Sequence, residues 1–440
     1  MNIEKLFFYA LIFSIPFQTR VILRSWGIGF NEWNSAFLYL TDLLILTLIL
    51  AWFLRTRVFY AMSQSTRVEI RNIFSFNYDW FLIGFLVISA ISIKNAINPA
   101  LGFYQLIKLV EFSLLYFYVK SNLGVVFNLA TAFFVFLASG IFQAILSILQ
   151  YVKQSDLGLR FLGETILNSD LFNVAVFTVE GEKVMRAYGT LPHPNVLAFF
   201  LFISIFIFYF LYISRINKSG KELWFWLVGY AILIFGLFFT FSRIIIFVWL
   251  IGVIYRFGWL YWKNEFRGII QRSDVKKLAL VTLVLVFVFS LLFWPQVLAR
   301  IKISPQEEAL SLRGFYNQIA FQGKPFFGVG PGNFVNWLKE KNPGLALNLY
   351  QPVHNIYLLI FSETGILGLA ALLLFLFFLI KNYLRISFNR PFHYSLFIIF
   401  TSVLFLGLFD HFLWTLQQGQ IIFWLVSGLL AAMSPRSLTG

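Results

Sequence analysis

The chain has 440 residues, 60% of them hydrophobic, 20% aromatic and only 12% charged. A soluble chain of this length has ample material for a core but carries about twice that share of charge, so the composition points to a polytopic membrane protein. Cysteine is absent, which removes disulfides and thiolate chemistry, and without a GxGxxG or P-loop pattern a nucleotide-fed cytoplasmic enzyme has no support.

Apolar runs of roughly 20 residues are long enough to cross a bilayer as helix. Twelve spans are expected, at 4–18, 36–54, 79–94, 101–119, 125–150, 194–213, 222–240, 244–261, 277–298, 354–380, 393–410 and 415–433. The first, from Leu6 to Phe17, lacks a small-residue cleavage site and reads as a span rather than a signal peptide. The expected fold class is all-α, with about twelve transmembrane helices. Five of them fill 1–150, an outer loop follows at 151–193, and four more helices lie within 194–298. A large, partly helical extracytoplasmic loop occupies 299–353, and the last three helices lie within 354–440.

The 34 Lys and Arg against 19 Asp and Glu give a net charge of +15. With the N-terminus inside, the even-numbered loops hold more than half of the basic residues although they are short. The positive-inside rule then puts both termini in the cytoplasm and the two long loops outside. This accounts for much of the charge without nucleic acid. The outer basic residues need another explanation, because topogenic bias works against them.

Those outer segments alternate apolar and polar residues and do not read as disordered. "SLRGFYNQIAFQ" predicts a short amphipathic helix with Leu312, Phe315 and Ile319 on one side. "GPGNFVNWLKEK" predicts a second after a Gly/Pro turn. Arg186, Arg243 and Arg313 come from three distant stretches, all expected outside. A guanidinium offers phosphate oxygens a fixed fork of donors and keeps its charge, so their convergence would make a diphosphate site. In "GTLPHPN", Pro192 and Pro194 hold His193 stiffly, and Asn195 is a candidate cap for the sixth span.

His354 and Asn355 open the tenth span. An imidazole can take a proton from a hydroxyl near neutrality, and an amide at that point can cap the helix or bond a sugar. Glu363 is a costly intramembrane carboxylate unless paired or facing a polar cavity; Arg243 and Lys324 are its candidate partners. Gly365 and Gly368 would permit close helix packing. Asp410 and His411 end the eleventh span on the same side and form a second tier of candidates. Glu32, Lys94 and Lys108 read as interface or packing residues. Four histidines scattered through the chain show no recurring ligand spacing, so no metal site is expected.

The ordered set "RAYGTLPHPNVLAFF", "TFSR", "LRGFYNQIAFQGKPFFGVGPGNF" and "HNIYLLIFSETGILG" resembles the shared membrane domain of the O-antigen ligase and O-antigen polymerase superfamily, over about residues 186–375. The span layout fits that family, and residues 1–150 add little beyond span number. The resemblance implies a metal-independent glycosyltransferase without cofactors in the bacterial cytoplasmic (inner) membrane, its active site facing outward. The donor would be an oligo- or polysaccharide on a polyprenyl diphosphate. The acceptor would be lipid A–core for a ligase, a lipid-linked repeat for a polymerase, or another surface acceptor. By the same resemblance, Arg243 and Arg313 contact the diphosphate, Arg186 supports them, and His354 lies near the acceptor hydroxyl. A protein O-oligosaccharyltransferase and a lipid-linked glycan flippase are the rival readings.

Overall fold

The computed structural model describes residues 3–27, 30–62, 78–214, 220–262, 272–302, 308–385 and 391–434. Every expected span contains a helix. Before the first long loop these are α1 (Ile3–Ser14), α2 (Leu40–Met62), α3 (Asp79–Ser92), α4 (Pro99–Asn122) and α5 (Leu129–Lys153). Then come α6 (Pro194–Ser214), α7 (Gly220–Phe239), α8 (Arg243–Trp262) and α9 (Ser273–Leu292), with a short α10 (Trp294–Ile301). The large loop carries α11 (Glu308–Phe321) and α12 (Phe334–Lys341), the two helices expected there. Beyond it lie α13 (Ile356–Tyr383), α14 (Pro391–Leu406), a one-turn α15 (Phe412–Thr415) and α16 (Gln417–Met433).

Among the described residues, six helices are long and apolar enough to cross a membrane: α4, α5, α6, α7, α9 and α13. This establishes a helical multi-pass membrane protein, while the figure of twelve crossings rests on the sequence. Much of the basic loops behind the expected orientation, at 63–77, 215–219, 263–271 and 386–390, lies outside the described residues.

Side-chain placement separates two kinds of apolar helix. From Val196 to Phe208 every residue of α6 is buried, so α6 forms the centre of the bundle, as a helix that is apolar all round must. Helix α9 exposes Leu280, Leu283, Phe287 and Leu291, the pattern of a helix facing lipid. Helix α13 packs chiefly on α3, and α4 on α16, with Phe81 stacked on Phe378 at 5.5 Å. Asparagine starts several helices. Asn98 accepts from the Leu101 amide at 3.1 Å and Asn128 from Thr131 at 2.8 Å, satisfying donors that no helical carbonyl reaches.

Two short hairpins were not foreseen. Strands β1 (Arg20–Ser25) and β2 (Ser35–Tyr39) pair antiparallel with an irregularity between Ile22 and Arg24. Strands β3 (Val176–Val179) and β4 (Glu182–Met185) pair around Glu180 and Gly181. Both turn residues have positive φ, 51° and 90°, as a tight hairpin turn with the right twist demands.

Helix α13 is interrupted. Gly365 adopts φ 71° and ψ −174°, and the loop segment 325–330 docks into the break. Val329 donates to the Ser362 carbonyl at 2.8 Å, Gly330 to Glu363 at 2.9 Å, and Ile366 to Pro325 at 2.8 Å. A Cβ on Gly365 would lie 2.1 Å from the Phe326 carbonyl carbon. The expected role of Gly365 in helix–helix packing is therefore corrected: it opens the helix backbone to a loop. Backbone groups freed inside a membrane helix need such partners.

Candidate active site

The loops at one end of the bundle enclose a cavity of about 660 Å³. His193, Asn195, Arg313, His354, Asp410 and His411 all line it, although they lie on four separate stretches of chain. Helix α13 contributes its start. Asn355 caps the helix, its Oδ1 accepting from Tyr357 at 2.9 Å and Leu358 at 3.1 Å, which holds the preceding His354 at the rim.

His354 Nδ1 lies 3.8 Å from Asp410 Oδ1, too long for a hydrogen bond, and this buried nitrogen has no other hydrogen-bond partner. Its ring centre is 4.9 Å from that of His411. His411 Nδ1 bonds Thr415 Oγ1 at 2.7 Å, and Trp33 meets the His411 ring edge-on at 5.0 Å. Asp410 accepts from the His411 amide at 2.8 Å and from Asn195 Nδ2 at 3.2 Å. Burial works to raise the Asp410 pKa, but the facing histidines prevail and hold it well below the usual carboxylate range. Burial lowers His411 to about 3 and His193 to about 4, so both are neutral near pH 7.

The expectation that Asn195 caps the sixth span is corrected. His193 does this, its Nδ1 accepting from the Asn195 amide at 3.1 Å. The Asn195 side chain is then free to face sideways, where its Oδ1 accepts from Arg186 at 2.8 Å and Ser242 at 3.0 Å. Arg186 also donates to the Thr240 carbonyl at 2.6 Å. Burial, with Arg300 and Arg243 nearby, lowers its pKa to about 9. Repulsion of that kind is what a bound anion relieves.

The four arginines are not equivalent. Arg313, on α11, lines the cavity and makes no hydrogen bond or ion pair among the described residues. Arg243 is not among the lining residues: its Nη1 donates to the Arg300 carbonyl at 3.4 Å. The expected diphosphate pocket lined by Arg243 and Arg313 together is thus corrected to one cavity arginine, with Arg186, Arg243 and Arg300 gathered behind Asn195. Arg300 was not among the expected site residues, though it stands at the start of the large outer loop.

Glu363 pairs with neither Arg243 nor Lys324. Lys324 donates to Asn95 Oδ1 at 3.1 Å, and Glu363 Oε1 accepts from the Phe334 amide at 3.4 Å, at the start of α12. Its position suits the macrodipole there and ties the loop to α13. Glu32, expected at an interface or in helix packing, lines the cavity instead.

Distance in sequence also misled the reading of the histidines. Donor atoms of His354, Asp410 and His411 all lie within 4.8 Å of one another, a set capable of holding a metal ion. The scattered spacing therefore does not exclude such a site.

The fold and the cavity define a helical membrane protein with imidazoles, a carboxylate and a free guanidinium gathered at one end. Residues 228–373 match the family model described as O-Antigen ligase, which places the chain's resemblance in the O-antigen ligase and polymerase superfamily. The match includes Arg243, Arg300, Arg313, His354, Asn355 and Glu363 and leaves the other site residues outside. No curated protein matches the chain.

Proposed function

We propose that the protein transfers a glycan from a polyprenyl diphosphate to a sugar hydroxyl, as an O-antigen ligase-like glycosyltransferase at the outer face of the bacterial cytoplasmic membrane. The observation that carries this reading is the shared cavity: an unengaged guanidinium, Arg313, lines it with His354 and Asp410. A flippase has no need of a base and an anion site in one pocket.

Arg313, supported by the positive field of Arg186, Arg243 and Arg300, holds the donor diphosphate. Preorganised cations there stabilise the charge that grows on the leaving group. Asp410, ionised, faces His354 Nδ1 and favours the tautomer with its proton on that nitrogen, so that Nε2 accepts. The acceptor oxygen attacks the anomeric carbon, and His354 Nε2 takes its proton. The bond from carbon to the diphosphate oxygen breaks, and its electron pair leaves with the lipid diphosphate. One such displacement inverts the anomeric centre. The bond already in the donor supplies the driving force, so ATP is not consumed.

A repeat-unit polymerase would share the donor side and differ in its acceptor. Deleting the gene and examining surface glycan separates the two: unattached full-length chains mark a lost ligase, attached single repeats a lost polymerase. The catalytic reading itself is tested with H354A in proteoliposomes. Transfer should disappear while farnesyl diphosphate binding persists; undiminished transfer would remove His354 from the mechanism.

A further inference from the structure

The cavity has a wall that the chemistry above does not use. It is built by the turn at the tip of the β1–β2 hairpin, where Glu32 and Trp33 line the cavity. Neither residue lies within 228–373. The turn is fixed in place: Asn31 Oδ1 accepts from the Trp33 amide at 2.9 Å, and Asn31 Nδ2 donates to the Tyr350 carbonyl at 3.4 Å. Arg20 clamps Glu32 Oε1 at 2.6 Å, while itself donating to the Tyr39 hydroxyl at 2.8 Å and lying 4.1 Å over the Phe37 ring.

This clamp leaves Glu32 Oε2 without a hydrogen bond among the described residues, and the indole Nε1 of Trp33 is equally uncommitted. The side-chain amides of Asn173 and Asn348, which line the same cavity, also bond nothing among the described residues. A rigid carboxylate, an indole and two amides without side-chain partners among the described residues form a surface for neutral hydroxyls. Carboxylates and amides bond vicinal hydroxyl pairs, and aromatic rings pack on the apolar C–H face of a pyranose.

Contacts also order the two ends of the site. They run from Arg186 to Asn195 (2.8 Å), Asn195 to Asp410 (3.2 Å), Asp410 to His354 (3.8 Å), and on through His411 to Trp33. The contacts from the arginines behind Asn195 to the Glu32–Trp33 turn thus pass through the set that Asp410, His354 and His411 form. In a single displacement the attacking oxygen and the leaving oxygen sit on opposite sides of the anomeric carbon, so the base belongs beside the acceptor hydroxyl, on the side away from the diphosphate.

We propose that the Glu32–Trp33 turn is the acceptor-sugar subsite, with Glu32 Oε2, Trp33, Asn173 and Asn348 binding the hydroxyls and ring of a neutral saccharide. This rests on the glycosyl-transfer reading, and the test keeps the two apart. The full chain in nanodiscs is titrated with farnesyl diphosphate, which reports the diphosphate end, and with p-nitrophenyl glycosides of glucose, galactose and N-acetylglucosamine, which report the sugar end.

At least one glycoside should bind the wild-type chain. E32Q and W33A should each weaken it about tenfold or more and leave farnesyl diphosphate affinity within about twofold, and W33F should recover part of the loss. With a working donor, the same variants should raise the acceptor KM with little change in kcat. Glycoside affinity unchanged in both variants, or no glycoside bound by a wild-type chain that binds farnesyl diphosphate, would overturn the subsite. So would an equal loss of both ligands in E32Q, which preserves the side chain's shape. If the wild-type chain fails to bind farnesyl diphosphate, the transfer reading falls, and the glycoside titrations still decide the subsite.

Discussion

Two polar regions inside this apolar bundle invite comparison. Around Lys108 of α4, the charges are paired: its ammonium bonds Asp42 and also Glu111 at 2.9 Å, and Gln417 donates to Asp42. Of the carboxylate oxygens of Asp42 and Glu111, only Glu111 Oε1 is buried without a hydrogen bond among the described residues. All four residues are buried. Around His354 the charges are left unfinished, with Nδ1 lacking a hydrogen bond, Arg313 unengaged among the described residues and a wide cavity beside them. Both regions cost desolvation free energy. The first recovers most of it within the fold and ties α2, α4 and α16 together; the second recovers part through Asp410 and His411 and leaves Arg313 to something that binds.

That contrast predicts opposite phenotypes. The largest effect should come from H354A, which should lower transfer by about a hundredfold or more, the usual range for a general base, with an unchanged melting temperature. Lys108→Met should do the reverse. Leaving two buried carboxylates without their cation costs about 3–5 kcal/mol, seen as a lower melting temperature and poor yield, while the protein that does fold keeps its affinity for farnesyl diphosphate. A folded, fully stable but inactive Lys108→Met variant would break the comparison.

R313K retains charge but loses the forked donor geometry, and it should weaken farnesyl diphosphate binding about tenfold. Unchanged affinity would remove Arg313 from the donor site. Stability should also fall with acid. The folded pKa values of His411 and His193 lie below the ordinary 6.5, so between pH 6.5 and about 4 the unfolded chain binds protons that the folded one does not. Stability then drops as pH falls through that window, by up to about 1.4 kcal/mol per pH unit for each histidine. His411→Gln should flatten the slope of melting temperature between pH 7 and 5; an unaltered slope would show that His411 is not held neutral. The smallest expected effect is that of EDTA, which should leave transfer unchanged. A loss restored by zinc or magnesium would turn the His354–Asp410–His411 set into a metal site and redefine the chemistry of the cavity.

Within the site, legibility followed locality. Asn355 could be recognised as a cap because capping needs only the next three residues, and α11 and α12 because amphipathic spacing and a Gly/Pro turn are local signals. Glu363 could not be interpreted: its partner is an amide of Phe334 brought back by a loop that docks into a helix break. Asn195 showed the same limit, since a cap and a cross-link look identical until Arg186, Ser242 and Asp410 are seen around it. The hairpin tip with Glu32 and Trp33 carried no signal at all. Its role depends on the Tyr350 carbonyl and the His411 ring, both more than 300 positions away.

By itself, the sequence determined that this is a helical membrane protein. Hydropathy and run length are properties of each segment alone, and a bilayer leaves such segments little choice but helix. The ordered motifs also carried the superfamily resemblance. Only the tertiary structure decided which polar residues meet. Cavity walls are assembled from stretches far apart in the chain, and whether a charge finds its partner inside the fold or waits for a ligand is a property of that assembly.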